Sequence, residues 1–163
     1  MRFKLVILDC DRTLWDHEDV STMYPPFVKV SEDSIVDSRG DRLTLHEDVR
    51  EFLEFAKANE ITLSIASWNI EDKVMEALDL LGILRYFDYI VIEYHPMKER
   101  MVLKILNKLR KLGLEFKEDE ILFVNDTEEM LRRVRESFPR ITTLCYGKDV
   151  KNFHELIELL KDC

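Results

Sequence analysis

Glutamine is absent from the chain, cysteine is scarce, and no hydrophobic run is long. Each lack closes off a class of protein. The three cysteines, Cys10, Cys145 and Cys163, are an odd number without Cys-x-x-Cys spacing, so neither a disulfide framework nor a zinc site is suggested. No stretch approaches the roughly 20 apolar residues that cross a bilayer, and Met1-Arg2-Phe3-Lys4 leads only into a short apolar run. Neither a membrane partner nor a signal peptide is therefore expected, and a cytoplasmic location is. Positive charge is also in deficit. The formal net charge is −9 and nothing resembles a basic stripe, so no nucleic-acid partner is expected. The same acidity sets a problem for any anionic substrate, which would need a local cation. Missing glutamine beside abundant Lys, Arg and Glu also fits a thermophilic source.

What is present is an alternation. Short apolar blocks of strand length (Phe3–Leu8, Ile61–Ala66, Tyr89–Ile92, Ile121–Val124, Ile141–Leu144) are separated by amphipathic blocks of helix length, two of them closed by Gly82 and Gly113. The length of 163 residues suits one domain, 1–163. This pattern predicts an α/β fold, doubly wound and Rossmann-like, with a central parallel sheet. Strand one is expected in the middle, flanked by strands two and four, so that its end lies at a topological switch point. One segment breaks the pattern, an insert at about 17–45 that contains Pro25-Pro26 and then alternates as a two- or three-stranded β element around Gly40. Placed after strand one, it falls at the carboxyl end of the sheet, where open α/β folds bind ligands. It reads either as a small β-hairpin flap or as a decorative hairpin.

Chemistry-bearing residues stand at the ends of these strands. Strand one stops at two carboxylates, Asp9 and Asp11, with a hydroxyl at Thr13. Alone, Asp-x-Asp is an ordinary acidic turn. Strand two leads to Ser67, a hydroxyl ahead of a helix that begins near Ile70. Behind Pro96, Lys98 is the candidate cation, with His95 as a competitor that is neutral for much of the time at neutral pH. Strand four runs into Asp126, and hard carboxylate and carbonyl oxygens suit Mg²⁺.

An apolar strand followed by "DCDRTL" resembles the nucleophile signature of the haloacid dehalogenase superfamily. Together with "YPPFVK", "DSRGDRLTL", "ASWN", "YHPMK" and "FVND", it is similar to the magnesium-dependent phosphatase family of that superfamily, over essentially the whole chain and with no large cap domain. The resemblance implies a Mg²⁺-dependent phosphomonoesterase. It implies Asp9 as nucleophile, Asp11 as acid and base, and phosphate contacts from Ser67, Trp68 and Lys98. It puts the metal on the Asp9 and Asp126 carboxylates and the Asp11 carbonyl. Thr13, Asn125 and Glu129 are supporting candidates, Thr13 fixing the loop and the other two holding metal-bound waters. Family substrates are aryl, phosphotyrosine-like, or sugar phosphates, as small molecules or on phosphoproteins.

Two departures matter. Trp68 replaces the usual arginine after the serine, and Asn125-Asp126 replaces Asp-Asp. An indole in that place favours an aromatic leaving group over a second anion. Trp15 and Trp68 are candidate substrate contacts, although each could pack inward instead. Two rival readings remain. A phospho-accepting receiver module carries its aspartate after strand three, where "EYHPM" has none, and an inactive binding scaffold is at odds with the intact set of five residues.

Overall fold

In the computed structural model, which describes all 163 residues, the chain opens with β1 (Leu5–Leu8). A small antiparallel sheet follows, of β2 (Val28–Lys29), β3 (Ser34–Val36) and β4 (Arg42–Thr44) in that order. Next come α1 (Val49–Ala58), β5 (Thr62–Trp68), α2 (Glu71–Leu80), β6 (Tyr89–Glu93) and α3 (Lys98–Lys111). The last units are β7 (Ile121–Asn125), α4 (Glu128–Ser137), β8 (Thr142–Cys145) and α5 (Phe153–Lys161). The main sheet has the order β6-β5-β1-β7-β8, and every pairing in it is parallel. Strand β1 is therefore central, between the second and fourth strands of that sheet, as expected.

The helices form because their apolar residues recur at helical spacing. In α1, Val49, Phe52, Leu53 and Ala56 are buried, and in α3 Met101, Val102, Ile105 and Leu109. Gly82 and Gly113, just beyond α2 and α3, take positive φ (72° and 86°), which lets the chain leave each helix without a Cβ clash.

Side-chain alternation along β1 divides the core in two. Val6 and Leu8 point to the layer of α1 and α5, whereas Leu5 and Ile7 point to the layer of α3 and α4. All four are fully buried, as expected of a parallel strand covered on both faces. Asp48 ties the first layer together by accepting hydrogen bonds from the N–H groups of Phe153 (2.7 Å) and His154 (3.1 Å) at the start of α5.

The insert is a three-stranded meander rather than a single hairpin. Its inner residues Ile35, Leu43 and Leu45 belong to the main core, so it is packed into the domain along one face. Asp37 organises its turn, accepting from the N–H groups of Tyr24 (2.8 Å), Arg39 (2.9 Å) and Asp41 (2.8 Å). These amides, Tyr24's first, hold the Asp37 carboxyl below its ordinary value.

Candidate active site

Extending the alternation by one step past β1 turns Asp9 toward the α3 layer. The Asp9 N–H still pairs with the Val124 carbonyl (3.1 Å), so the backbone is held as strand to its last residue. Lys98, the first residue of α3, reaches the same point: its Nζ lies 3.0 Å from Asp9 Oδ1, with Lys98 2% and Asp9 8% exposed. A second bond from Lys98 Nζ to the Ala66 carbonyl fixes the ammonium between β1 and β5. His95 is engaged by Glu93 (2.9 Å) and takes no part in the pair.

After Asp9 the chain turns sharply. The Thr13 and Leu14 N–H groups both donate to the Cys10 carbonyl (3.0 and 2.9 Å), and Arg12 adopts a left-handed φ of 58°. The turn carries the Asp11 carboxylate into a ring of donors. Trp15 Nε1 donates to Oδ1 (2.8 Å), Asn69 Nδ2 to Oδ2 (2.7 Å), and the Val20 N–H to both oxygens at 3.3 and 3.4 Å. Burial is the main cause that raises the Asp11 pKa, to about 6; the charges of Asp9 and Asp19 add to it and the bonds from Trp15 and Val20 oppose it. A carboxyl so placed carries a proton at mildly acidic pH and gives it up readily, which suits an acid–base group.

Asp126 follows β7. Burial, then the charge of Asp9 and a hydrogen bond shared with it, raise the Asp126 carboxyl to about 7. Two carboxylates thus crowd one another beside a single lysine, a surplus of negative charge that a hard cation would relieve. No three His, Cys, Asp or Glu side chains converge as an all-protein cage. Two carboxylates with a carbonyl, leaving other positions to water, are a donor set that fits Mg²⁺. Asn125 is buried, with Oδ1 accepting from the Thr127 N–H (3.0 Å) and Nδ2 without a partner. Glu129 does not join it: its carboxylate is held by Arg132 (2.6 Å) on the exposed side of α4.

A cavity of about 270 Å³ opens over these groups, lined by Asp9, Asp11, Lys98, Asn125 and Asp126, and also by Glu18, Asp19, Thr127, Met130, Trp68 and Tyr94. Trp68 and Tyr94 are 46% and 71% exposed, so both rings are open to a ligand. Trp15 is not. It is fully buried, and the expectation that it touches substrate fails because its indole N–H is spent on Asp11 from behind. Ser67 is the penultimate residue of β5, at the strand's carboxyl end as expected. It does not line the cavity, but its buried hydroxyl has no partner. The Thr13 hydroxyl is likewise buried and unpartnered, so the loop is fixed by the Thr13 backbone N–H and not by its side chain. Asn69, Asp19 and Tyr94 were not singled out by the sequence; "ASWN" holds the one available cue, a polar residue two places after Ser67.

A sequence model of the acid phosphatases matches residues 2–155, nearly the whole domain. The chain belongs to the acid phosphatase family. Human magnesium-dependent phosphatase 1 is 32% identical over 85 residues, which make up 52% of this chain and 48% of that protein. The match thus spans about half the length of this curated relative. A haloacid dehalogenase superfamily hydrolase from Ehrlichia chaffeensis superposes with a TM-score of 0.68 at 18% identity, over 98% of this chain and 97% of that one. The 3-deoxy-D-manno-octulosonate 8-phosphate phosphatase of Moraxella catarrhalis, solved with magnesium, phosphate and KDO, gives a TM-score of 0.60 at 19% identity over 99% and 87%. The superfamily resemblance carried by "DCDRTL" is thereby borne out, and with it the α/β fold.

In this acid phosphatase family member the buried pair makes a testable claim about energy. Removing one partner leaves the other charge buried and uncompensated. Lys98→Met should therefore destabilise the fold by about 3–5 kcal/mol in urea denaturation. Adding Asp9→Asn to that variant should recover much of the loss. Equal, additive losses from the two changes would mean that the residues do not interact.

Proposed function

We propose that this chain is a magnesium-dependent phosphomonoester hydrolase that works through a phosphoryl group carried on Asp9, with aryl phosphates as preferred substrates. The observation that carries this reading is the separation of two neighbouring carboxylates. Asp9 faces Lys98 and Asp126 at the cavity, while Asp11, lining the same cavity, is held by its own ring of donors. One is arranged to meet a phosphate and the other to handle a proton.

The Asp9 and Asp126 carboxylates and the Asp11 carbonyl would hold Mg²⁺, which when bound offsets phosphate charge as a Lewis acid. Asp9 attacks phosphorus through one carboxylate oxygen. The Lys98 ammonium offsets the charge brought together there, fixed in place before the substrate arrives. As the bond from phosphorus to the leaving oxygen breaks, Asp11 gives that oxygen its proton. In the second step Asp11, now a carboxylate, takes a proton from the water that attacks phosphorus, and the bond to Asp9 breaks. Ser67, buried one residue before Trp68 of the lining and with an unpartnered hydroxyl, is the candidate donor for a phosphate oxygen.

Substrate choice follows from the rest of the lining. Trp68, Tyr94 and Met130 offer aromatic and apolar surface, and Glu18 and Asp19 add negative charge that disfavours a second anionic group on the leaving side. An aryl phosphate, free or as a phosphotyrosine side chain, meets both conditions better than a sugar phosphate does.

Two measurements test the reading. In hydrolysis of an aryl phosphate titrated with Mg²⁺, Asp126→Ala should raise the concentration for half-maximal rate by at least about tenfold, against about twofold or less for Glu129→Ala. Small, equal effects would assign Asp126 to the start of α4 instead. In kcat/KM, stacking worth about 0.5–1.5 kcal/mol should favour aryl over sugar phosphates by roughly two- to twelvefold, and Trp68→Ala should narrow that gap. A uniform fall on both substrates would make Trp68 structural and overturn the aryl preference.

A further inference from the structure

We infer that Asn69 is a positioning residue for the acid–base step, holding the Asp11 carboxylate and linking it to Asp19 at the edge of the insert; the inference rests on the hydrolase reading above. Asn69 sits between the end of β5 and the start of α2 and is 1% exposed, so its amide is withdrawn from solvent and acts only through its neighbours. Its backbone is fixed by the bond from its N–H to the Glu93 carbonyl (3.2 Å). Its side chain is fixed at both ends. Oδ1 accepts from the Ile70 N–H at 2.7 Å, which obliges the amino side to face the other way. Nδ2 then donates to Asp11 Oδ2 at 2.7 Å, with a longer contact to Asp19 Oδ1 at 3.3 Å.

The ring of donors gives Asn69 a task that no neighbour can take over. Trp15 Nε1 holds Asp11 Oδ1, and the Val20 N–H is shared between the two oxygens at more than 3.2 Å. Oδ2 has only one short bond, and Asn69 supplies it. Without that bond the carboxylate is free to turn about its Cβ–Cγ axis, and the proton it carries no longer points at one place. Asp19 itself is anchored by the Ser21 N–H (2.9 Å) and hydroxyl (2.6 Å) and lines the same cavity as Asp11. Asn69 is therefore the one side chain that touches the acid–base carboxylate, the entrance of α2 and the edge of the insert together.

The competing role is purely structural, since Asn69 Oδ1 accepts from the N–H of Ile70, the residue that precedes α2. Asn69→Asp separates the two roles. It preserves shape and the acceptor for Ile70, but replaces the donor to Asp11 with an acceptor. Asn69→Ala is the second variant, and thermal melting checks that each is folded.

The readout is dependence on the leaving group, measured with Mg²⁺ on an alkyl phosphate and on nitrophenyl phosphate. Alkoxide departure needs a proton, whereas nitrophenolate departs without one. General acid catalysis contributes about a hundredfold or more, so kcat/KM for the alkyl phosphate should fall by roughly 100-fold in both variants, against about threefold for nitrophenyl phosphate. The second step also needs Asp11, whatever the leaving group. Turnover of nitrophenyl phosphate should thus begin with a burst approaching one nitrophenolate per enzyme, followed by a lowered kcat. Equal losses on both substrates without a burst, or rates near wild type in Asn69→Asp, would overturn the inference. Wild-type enzyme that hydrolyses neither phosphate would overturn the hydrolase reading first and this inference with it.

Discussion

The contact between Asp9 and Lys98 is the constraint around which the rest is arranged. The two residues are far apart in sequence, one ending the central strand and the other opening α3, and they meet at 3.0 Å with almost no solvent. Bringing charges into such a place costs several kcal/mol per ion, and their mutual attraction offsets this only when geometry and hydrogen bonding are good. Here the Ala66 carbonyl completes the ammonium's bonding. The pair is therefore weak evidence for stability and strong evidence for placement. It demands that β5 lie beside β1 and that the chain leaving β6 cross to the start of α3. The first is a feature of the observed sheet order and the second of the succession of elements.

Charge imbalance is the second theme. Lys98 compensates Asp9, but Asp126 lies next to the same carboxylate, and burial first, then the charge of Asp9, raises its pKa. Asp11 escapes the crowd because the left-handed turn at Arg12 rotates it onto Trp15, Val20 and Asn69. Two aspartates separated by a single residue thus acquire different environments, and the proposed division of roles, one as nucleophile and the other as acid and base, rests on that difference. The unpartnered hydroxyl of Ser67 and amide of Asn125 add buried polar groups that a bound anion or a water could satisfy.

Much of this was legible in the sequence because strands and helices leave periodic marks. The apolar run ending at Asp9, the blocks that alternate with it and the glycines behind two helices were enough for the parallel sheet and its helical layers. The positions of Lys98 and Asp126 followed from their places after strands. What was not legible depends on where a side chain turns once its backbone is set. Trp15 reads equally as a mouth residue or a packed one until its indole is seen bonded to Asp11 inside the core. Glu129 reads as a water-holder until its neighbours one turn on, Arg132 and Arg133, are seen to hold it. Asn69 reads as loop, since no periodicity distinguishes an amide that bridges two carboxylates from one that faces solvent. The insert's three strands were within the expected range, yet its share of the core was hidden by how short each strand is.

The central claim is that phosphate passes through Asp9, and the most direct measurement is to find it there. Enzyme turning over nitrophenyl phosphate with Mg²⁺ would be quenched in acid, digested and mapped by mass spectrometry. The account predicts one phosphoryl group on the peptide containing Asp9, assigned to that residue, and none in Asp9→Asn enzyme, which should also be inactive. Turnover with the phosphoryl group on another side chain, or undiminished hydrolysis by a folded Asp9→Asn protein, would contradict it.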